Sequence, residues 1–443
     1  MFLPENVRFC IDELETAGFS AYAVGGCVRD DLLGRTPHDY DLCTNALPEQ
    51  TAQVFQAFPL VRSGEKHGTI GIVMDRAVIE ITTFRTEGGY QDSRHPDWVR
   101  FVPGVEEDLA RRDFTVNAIA YCPRTGRIDP FGGQADLENK ILRAVGDPKA
   151  RFTEDPLRIL RGVRFAVRFG LCPEPETENA MFTLAPLMEK LAKERVFDEL
   201  CKLLPLITAE QLLHFAPVLT AALPELAPTV GFQQHNHHHA YDVFTHIAHV
   251  VQAVPPEPVL RWAALLHDVE KPAAFTMDEQ GEGHFQGHDK QGAQTADAVL
   301  RRLKAPTDLR ERVVFLVGHH MMPFYPDRRL LCRRLGRFGE QAVRDLLALQ
   351  WADRSSKGTD APEEDFLQIG QLLEQVLAEE ACLTVTDLAI DGRELMALGF
   401  TPGPALGACL NMLLRQVQDE LLENEKEPLL QAAAQFLKEE FSQ

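Results

Sequence analysis

Two aspartates, Asp39 and Asp41, stand two residues apart in the run HDYDLCTN. On a strand, residues at i and i+2 leave by the same face. Two carboxylates held side by side repel unless a cation lies between them, and hard oxygen ligands suit Mg²⁺. A pair of such ions about 4 Å apart activates an attacking hydroxyl and stabilises a departing pyrophosphate. Upstream, AVGGCVRDDLLG supplies Gly25 and Gly26, whose backbone N–H groups can approach a phosphate closely, followed by a helix whose N-terminus favours an anion. Arg29, one turn into that helix, is placed to pair with the same phosphates. A glycine pair alone is usually a turn, and Asp-x-Asp alone a solvated acidic patch. In the order strand, Gly-Gly, helix, Asp-x-Asp they read as a metal-and-phosphate site. Glu80, the one acid in the apolar run VIEITTF, is either a third carboxylate near the metals or a solvent-facing residue on the open side of a sheet.

A second set of candidate ligands lies in the other half of the chain. Histidines concentrate in HNHHHAYDVFTHIAHVV (235–251), LLHDVEKPAAF (265–275), HFQGHDKQG (284–292) and LVGHHMMP (316–323), and LQWADRSSKG (349–358) adds an aspartate. An adjacent His-Asp on a helix, a further His one helix away and a later Asp can close around one divalent ion. Imidazole and carboxylate together suit a transition metal or Mg²⁺. The plainer alternative is a surface histidine run at 235–239 and a structural His267–Asp268 pair.

The elements that must position these residues fall into two styles. Residues 1–120 mix short strands and helices. MFLPENVRFCIDELETAG reads as an amphipathic helix ending at Gly18, and YAVGG as a strand entering a glycine turn. TIGIVM and VIEITTF, joined by Asp75-Arg76, read as an antiparallel hairpin, and the polar, Gly/Pro-punctuated RTEGGYQDSRHPDWVRFV as a loop. From about residue 150 the pattern is helical, with breaks at Pro173/Pro175, 226–236, 254–258 and 401–404. The expected fold class is therefore α+β: a head with a small mixed sheet, then an all-helical neck, body and tail. Boundaries are expected at 1–145 (head), 146–225 (neck), 226–360 (histidine-rich domain) and 361–443 (tail).

The 443 residues, 45% hydrophobic and 25% charged, are those of an ordinary globular protein. No apolar run reaches the ~20 residues that span a bilayer, and the acid-interrupted N-terminus has no signal-peptide core. The nine scattered cysteines form no CxxC pair, which fits a reducing compartment. A cytoplasmic protein is expected. A net charge of −21 opposes nonspecific binding to DNA or other nucleic acid. Yet residues 301–337 carry ten Lys/Arg against three acids, either a polyanion-binding face or a pair of solvated helix faces.

GGCVRDDLLGRTPHDYDLCT resembles the first motif of the class II nucleotidyltransferases, which comprise the tRNA CCA-adding enzymes and bacterial poly(A) polymerases. The family's other motifs follow in order. EEDLARRDFTVNAIAY (106–121) resembles its RRDFTxNA motif, and IDPFGGQADLENKILR (128–143) its hinge. TEDPLRILRGVRFAVRFG (153–170) resembles its nucleotide-selecting motif, and KERVFDEL (193–200) its helix-supporting ER motif. The resemblance implies a template-independent polymerase that takes ATP and CTP, uses two Mg²⁺ ions and acts on tRNA. It assigns Asp39 and Asp41 to catalysis and metal binding. Gly26, Arg29, Arg112, Asp155, Arg158, Arg161 and Arg164 go to nucleotide binding.

With no nucleic-acid template, protein side chains must choose the base. Asp155 and Arg158 are i, i+3 and are expected to share a helix face. A carboxylate accepts from the exocyclic amino group that cytosine and adenine both carry, and a guanidinium donates to a ring acceptor. Uracil and guanine offer oxygen at the corresponding edge. Arg161 and Arg164 continue at the same spacing toward a triphosphate. In isolation, the same pattern reads as a salt-bridged solvent face.

GEKHGTIGIV (64–73) resembles the CCA-adding form rather than the poly(A) form, and the loop before RRDFT resembles that of complete CCA-adding rather than CC-adding enzymes. Poly(A), CC-only or A-only addition are the alternatives. The histidine-rich half resembles an HD-domain phosphohydrolase. That resemblance implies His246, His267, Asp268 and Asp353 as ligands, with His288, His319 and His320 available to a second metal, and phosphomonoesters or 2′,3′-cyclic phosphates at RNA ends as substrates. Glu270 stands where that family has glycine, which bears on activity more than on metal binding. Residues 387–414 resemble the tRNA-gripping tail of this arrangement. Monomer and dimer are both compatible with the sequence.

Overall fold

A computed structural model describes residues 1–74, 77–88, 98–236, 240–358 and 364–440. The chain divides into two compact units, Met1–Ala227 with Val299–Ala305, and Pro228–Ala298 with Pro306–Gln443.

The first unit opens with the helix Glu5–Thr16, which buries Val7, Cys10, Ile11 and Leu14. This is the spacing of one helix face, and Gly18 follows with φ 89°. Its strands are β1 (Ala21–Val24), β2 (Asp41–Thr44), β3 (Leu60–Val61), β4 (Thr69–Met74), β5 (Ala77–Thr83), β6 (Arg85–Gly88), β7 (Trp98–Phe101), β8 (Ala120–Cys122) and β9 (Gly126–Ile128). Seven of them form one sheet in the order β3-β4-β5-β2-β1-β8-β9. Every pairing is antiparallel except β2 with β5. The hairpin expected from TIGIVM and VIEITTF is β4–β5, with Met74 opposite Ala77; its turn residues lie outside the described ones.

The stretch expected as a loop before RRDFT is in part a second hairpin. Arg85–Gly88 pairs antiparallel with Trp98–Phe101. Gly88 permits it, because the Trp98 ring occupies the space a side chain there would need. The rest of that stretch, 89–97, lies outside the described residues.

Helices follow at Pro148–Glu154, Leu157–Phe169, Pro175–Leu184 and Lys193–Leu203. In Leu157–Phe169 the apolar residues Ile159, Leu160, Val163 and Ala166 are buried, while the arginines at 158, 161, 164 and 168 line a hollow. Gly162 lets this helix lie against Phe114, whose ring would meet any added Cβ at 2.9 Å.

Among the described residues, the regular structure of the second unit is helical apart from a short hairpin, Thr276–Met277 with Gly283–His284. Its helices include Val243–Ala253, Pro258–Leu266, Thr307–His319 and Glu340–Ser355, then Glu364–Ala378, Pro404–Gln418 and Lys426–Glu440. One apolar core gathers Leu395, Phe400, Cys409, Leu413, Leu429 and Ala433 near the C-terminus, and another gathers Leu331, Leu335, Val343, Leu373 and Val376. The expected class holds: a small mixed sheet with helices, then a helix-rich remainder.

Candidate active site

The glycine turn forms as its sequence requires. Gly25 has φ 78° and ends β1, and the helix Gly26–Leu32 begins at once. A Cβ at Gly25 would meet Arg112 Nη1 at 2.7 Å, whereas at Gly26 the nearest atom is 3.6 Å away. Gly25 is thus the position where only glycine serves.

Asp41 is the first residue of β2, opposite Val24 of β1, and Asp39 lies just ahead of the strand. Neither carboxylate has a hydrogen bond or ion pair among the described residues. The surrounding protein and the neighbouring Asp39 push the Asp41 carboxyl above its ordinary range, against Arg112. Such a pair fits a divalent cation that neutralises it.

The parallel register of β2 with β5 sets Leu42 beside Ile81, so Asp41 stands beside Glu80. Ile79 and Ile81 are buried and Glu80 is exposed on the other face. Glu80 is therefore both solvent-facing and on the side of the aspartates, lining one hollow with them.

A hollow of about 600 Å³ gathers Gly25, Gly26, Asp39, Asp41, Asp155 and eight arginines: 29, 111, 112, 158, 161, 164, 168 and 195. Every head and neck residue that the sequence assigned to catalysis or nucleotide binding lines it, whereas Glu80 does not.

The arginines are held by the protein's own acids. Arg161 donates to Asp113 Oδ2 from Nε (2.9 Å) and Nη2 (2.6 Å), and Arg164 Nε to Glu199 at 2.5 Å. Arg158 donates to Glu154 at 3.0 Å and to the Arg111 carbonyl at 3.0 Å. Arg29 is buried. It donates to Asn117 Oδ1 at 2.5 Å and to Asp30, with its guanidinium 4.3 Å above the Phe169 ring. Those bonds hold Arg29 in place where it lines the hollow. Asn117 in turn donates to Asp113. Burial works to raise the Asp113 carboxyl, but Arg161 and Asn117 outweigh it and hold it at about 2.

Asp155 departs from expectation. It does not share a helix with Arg158, for it lies between two helices with φ −138° and ψ 97°. Pro156 is the reason: the residue before proline is driven to extended backbone, and the next helix starts at Leu157. The Asp155 carboxylate accepts from Leu157 N at 3.1 Å and from Arg195 Nη2 at 2.9 Å.

The second unit brings most of the expected histidines together. His246 Nε2 lies 2.9 Å from Asp353 Oδ1 and 3.5 Å from Asp268 Oδ2. His267 Nε2 is 3.2 Å from Asp268 Oδ2. His288 Nε2 is 3.3 Å from Asp268 Oδ1 and 3.2 Å from His320 Nε2. His246 with His267 and Asp268, and Asp268 with His288 and His320, form two groups whose ligand atoms lie within 4.8 Å of one another.

The donor set fits a metal. His246, His267, Asp268, His288 and His320 are all buried, with their ring nitrogens and carboxylate oxygens turned toward one another. Burial and His267 push His320 down to about 4, which leaves it neutral, as ligation requires. Burial works to raise the Asp268 carboxyl, but His267 and Lys271 outweigh it and hold it well below the usual range. His319 is not brought in; it stacks on Phe315 at 4.3 Å and bonds that residue's carbonyl. The next helix position, His320, faces the cluster instead. Glu270 turns away and accepts from Thr295 Oγ1 at 2.5 Å.

Three family models match the chain: Poly A polymerase head domain over residues 21–143, Probable RNA and SrmB-binding site of polymerase A over 170–228, and tRNA nucleotidyltransferase domain 2 putative over 289–433. The CCA-adding enzyme of Streptococcus thermophilus is 33% identical over 426 residues, 95% of this chain and 94% of that protein. That of Levilactobacillus brevis is 35% identical, covering 97% of each chain. The chain belongs to the CCA-adding enzyme family. The crystal structure of the Bacillus stearothermophilus CCA-adding enzyme in complex with CTP superposes with a TM-score of 0.73 at 30% identity, over 98% of this chain and 97% of that one.

Within this CCA-adding family member, sequence reasoning passed over Arg111, Asp113, Asn117, Arg168 and Arg195 as site residues. All five sit inside quoted motifs, Arg168 one turn beyond Arg164. What was missing was the pairing, since Arg195 finds Asp155 from 40 residues away.

Proposed function

We propose that the chain adds C, C and A to the 3′ end of tRNA from CTP and ATP without a template, releasing pyrophosphate, in tRNA maturation and repair. The observation that carries this is one hollow holding both the Asp39/Asp41 pair and the Asp155/Arg158 pair beneath eight arginines. Asp39 and Asp41 would hold two Mg²⁺ ions, which supply activation of the attacking hydroxyl and charge neutralisation at the leaving group. Arg161 and Arg164, with Arg112, fix the triphosphate with its α-phosphorus at the carboxylates. A bond forms between the acceptor 3′ oxygen and that phosphorus, the bond to the β-phosphate bridging oxygen breaks, and the hydroxyl proton passes to water. Asp155, steadied by Arg195, accepts from the exocyclic amino group of cytosine or adenine, and Arg158 donates to the ring. We read the protein as cytoplasmic; no described helix is long and apolar enough to cross a membrane.

The test is incorporation of each labelled nucleotide into tRNA ending at the discriminator base, at C and at CC. C, C and A are expected in turn, with UTP and GTP rejected and addition stopping after A. A long A-tail would instead make the chain a poly(A) polymerase.

The packed histidine cluster favours a second activity, a metal-dependent hydrolysis of phosphomonoesters or 2′,3′-cyclic phosphates at RNA ends. His246, His267, Asp268 and Asp353 would hold a transition metal or Mg²⁺, with His288 and His320 beside it. Phosphate release from a 3′-phosphorylated oligonucleotide, lost in His267→Ala, tests it.

A further inference from the structure

A hollow of about 420 Å³ adjoins the histidine cluster. Asp268, His288 and Asp353, all members of the candidate ligand set, line it together with His284 and two lysines. Burial grades across it. Asp268 is 1% and His288 5% exposed, while the His284 side chain is 55% exposed. The ligands therefore form the floor, and His284 stands at the lip.

His284 is fixed there. Its Nε2 lies 2.8 Å from Asp278 Oδ2, and Asp278 Oδ1 also accepts from the backbone N–H groups of Gln280 and Glu282 at 2.9 Å each. The hairpin that carries both residues is pinned to residues 234–235. Gly283 N donates to the His235 carbonyl at 2.8 Å, and a Cβ at Gly283 would collide with the Gln234 carbonyl.

We propose that His284 is the general acid of this second site, giving its proton to the ribose oxygen that leaves when a nucleotide phosphomonoester is hydrolysed. The proposal rests on the hydrolase reading of the cluster above. A water oxygen bonds to phosphorus, the bond from phosphorus to the ribose oxygen breaks, and that oxygen takes the imidazolium proton. The proton shed by the water restores the imidazolium. A nucleoside hydroxyl and inorganic phosphate are the products.

An in-line displacement puts the leaving oxygen opposite the attacking water. Water attacking from the floor expels the ribose oxygen toward the lip, where His284 stands. A ribose alkoxide leaves poorly without a proton, and a positioned imidazole is the commonest donor. The other titratable groups in the described lining have other work. Three are ligands, Lys271 donates to Asp268 at 2.7 Å and to Gln234 at 3.0 Å, and Lys357 is a cation suited to the phosphate. Asp278 holds one nitrogen of the His284 ring and leaves Nδ1 for the substrate, the arrangement in which a third group orients a proton-transfer residue. Phe285 and Met321 give the nucleoside an apolar wall.

The test compares two substrates of the full-length protein loaded with Mn²⁺. One is a ribonucleoside 3′-phosphate, whose leaving oxygen needs a proton. The other is p-nitrophenyl phosphate, whose nitrophenolate does not. His284→Ala is expected to lower kcat on the nucleotide roughly 100-fold and on p-nitrophenyl phosphate less than about threefold. Asp278→Asn, which acts only through the ring, should show the same split at smaller size. Bound metal, counted by elemental analysis, should stay the same in both variants. Equal losses on the two substrates with metal retained, or an unchanged kcat on the nucleotide, would overturn His284 as the acid. Loss of metal from both variants would do so too, by making the pair a structural brace. Wild-type protein that hydrolyses neither substrate would instead overturn the hydrolase reading.

Discussion

The two ligand clusters of this chain solve opposite problems with the same acids. At the head, Asp39, Asp41 and Glu80 stand at an open face with no partner among the described residues, and the cationic charge around them belongs to arginines already paired with Asp113, Glu154, Glu199 and Asp155. A triphosphate entering this basket exchanges one set of charge pairs for another, at little desolvation cost, and can leave again. In the second unit Asp268 is buried among four imidazoles and a lysine. Charge that deep is tolerated only when compensated. On the proposed function the head would turn ligands over and the histidine cluster would keep one.

The sharpest way to separate them is to remove a carboxylate from each. Asp39→Ala or Asp41→Ala should lower nucleotide addition by roughly 10³-fold or more, since one residue removes both a metal ligand and its charge. Metal bound at the histidine cluster, counted by elemental analysis, should not change. His267→Ala should do the reverse, emptying the cluster while addition stays within about twofold. If His267→Ala abolished addition and Asp39→Ala did not, the division of labour would be wrong.

Next in size is the choice of nucleotide. Asp155→Ala should lower the preference for CTP and ATP over UTP and GTP by roughly 10- to 100-fold. Arg195→Ala should act in the same direction but less, because it only steadies that carboxylate. Its signature is a KM increase shared by both correct nucleotides with acceptor KM unchanged. An Arg195→Ala variant that altered only acceptor KM would place Arg195 on the RNA instead.

Acid stability probes the brace between head and neck. Asp113 sits at about 2 in the folded chain against an ordinary 3.8. A depressed carboxyl contributes stability that is full above its unfolded value and lost as pH falls through the folded one, so the window runs from about 4 down to about 2. The contribution at neutral pH is about 2 kcal/mol. Asp113→Asn should therefore lose stability to denaturant at pH 7, and the gap from wild type should close as pH approaches 2. A gap independent of pH would mean that packing, not charge, holds Arg161 there.

The sequence made the local chemistry plain and the long-range pairing opaque. Asp39, Asp41, the glycine turn and the arginines are close in sequence or periodic, so they read together as a metal-and-phosphate site, and the motifs they sit in carry the resemblance that implies the reaction. Pro156 was visible too, and weighing it would have taken Asp155 off the helix. Glu80 was ambiguous because its face depends on β5 pairing parallel with β2, which no local pattern reveals. His319 and His320 are adjacent, so only the rotation of the Thr307–His319 helix decides which one meets Asp268. The β6–β7 hairpin hid behind polar residues because its pairing depends on Gly88 making room for Trp98.

The smallest effect concerns the basic stretch that could have been a polyanion face. In the second unit four of its arginines pair with acids of the protein: Arg310 with Asp297, Arg312 with Asp345, Arg328 with Glu379 and Glu420, and Arg333 with Asp419. Arg334 lies over the Phe324 ring at 4.0 Å. None of these acids is near its arginine in sequence except Asp297, so composition overstated the positive field. Arg333 is half-exposed, and exposed pairs are worth about 0–1 kcal/mol. Arg333→Ala should therefore barely move stability, and the slope of log affinity for tRNA against log salt should stay the same. A residue on a phosphate would reduce that slope by about 1. A full-unit drop would show that Asp419 gives up Arg333 to the RNA, and that this part of the second unit, like the head, trades its internal ion pairs for ligand.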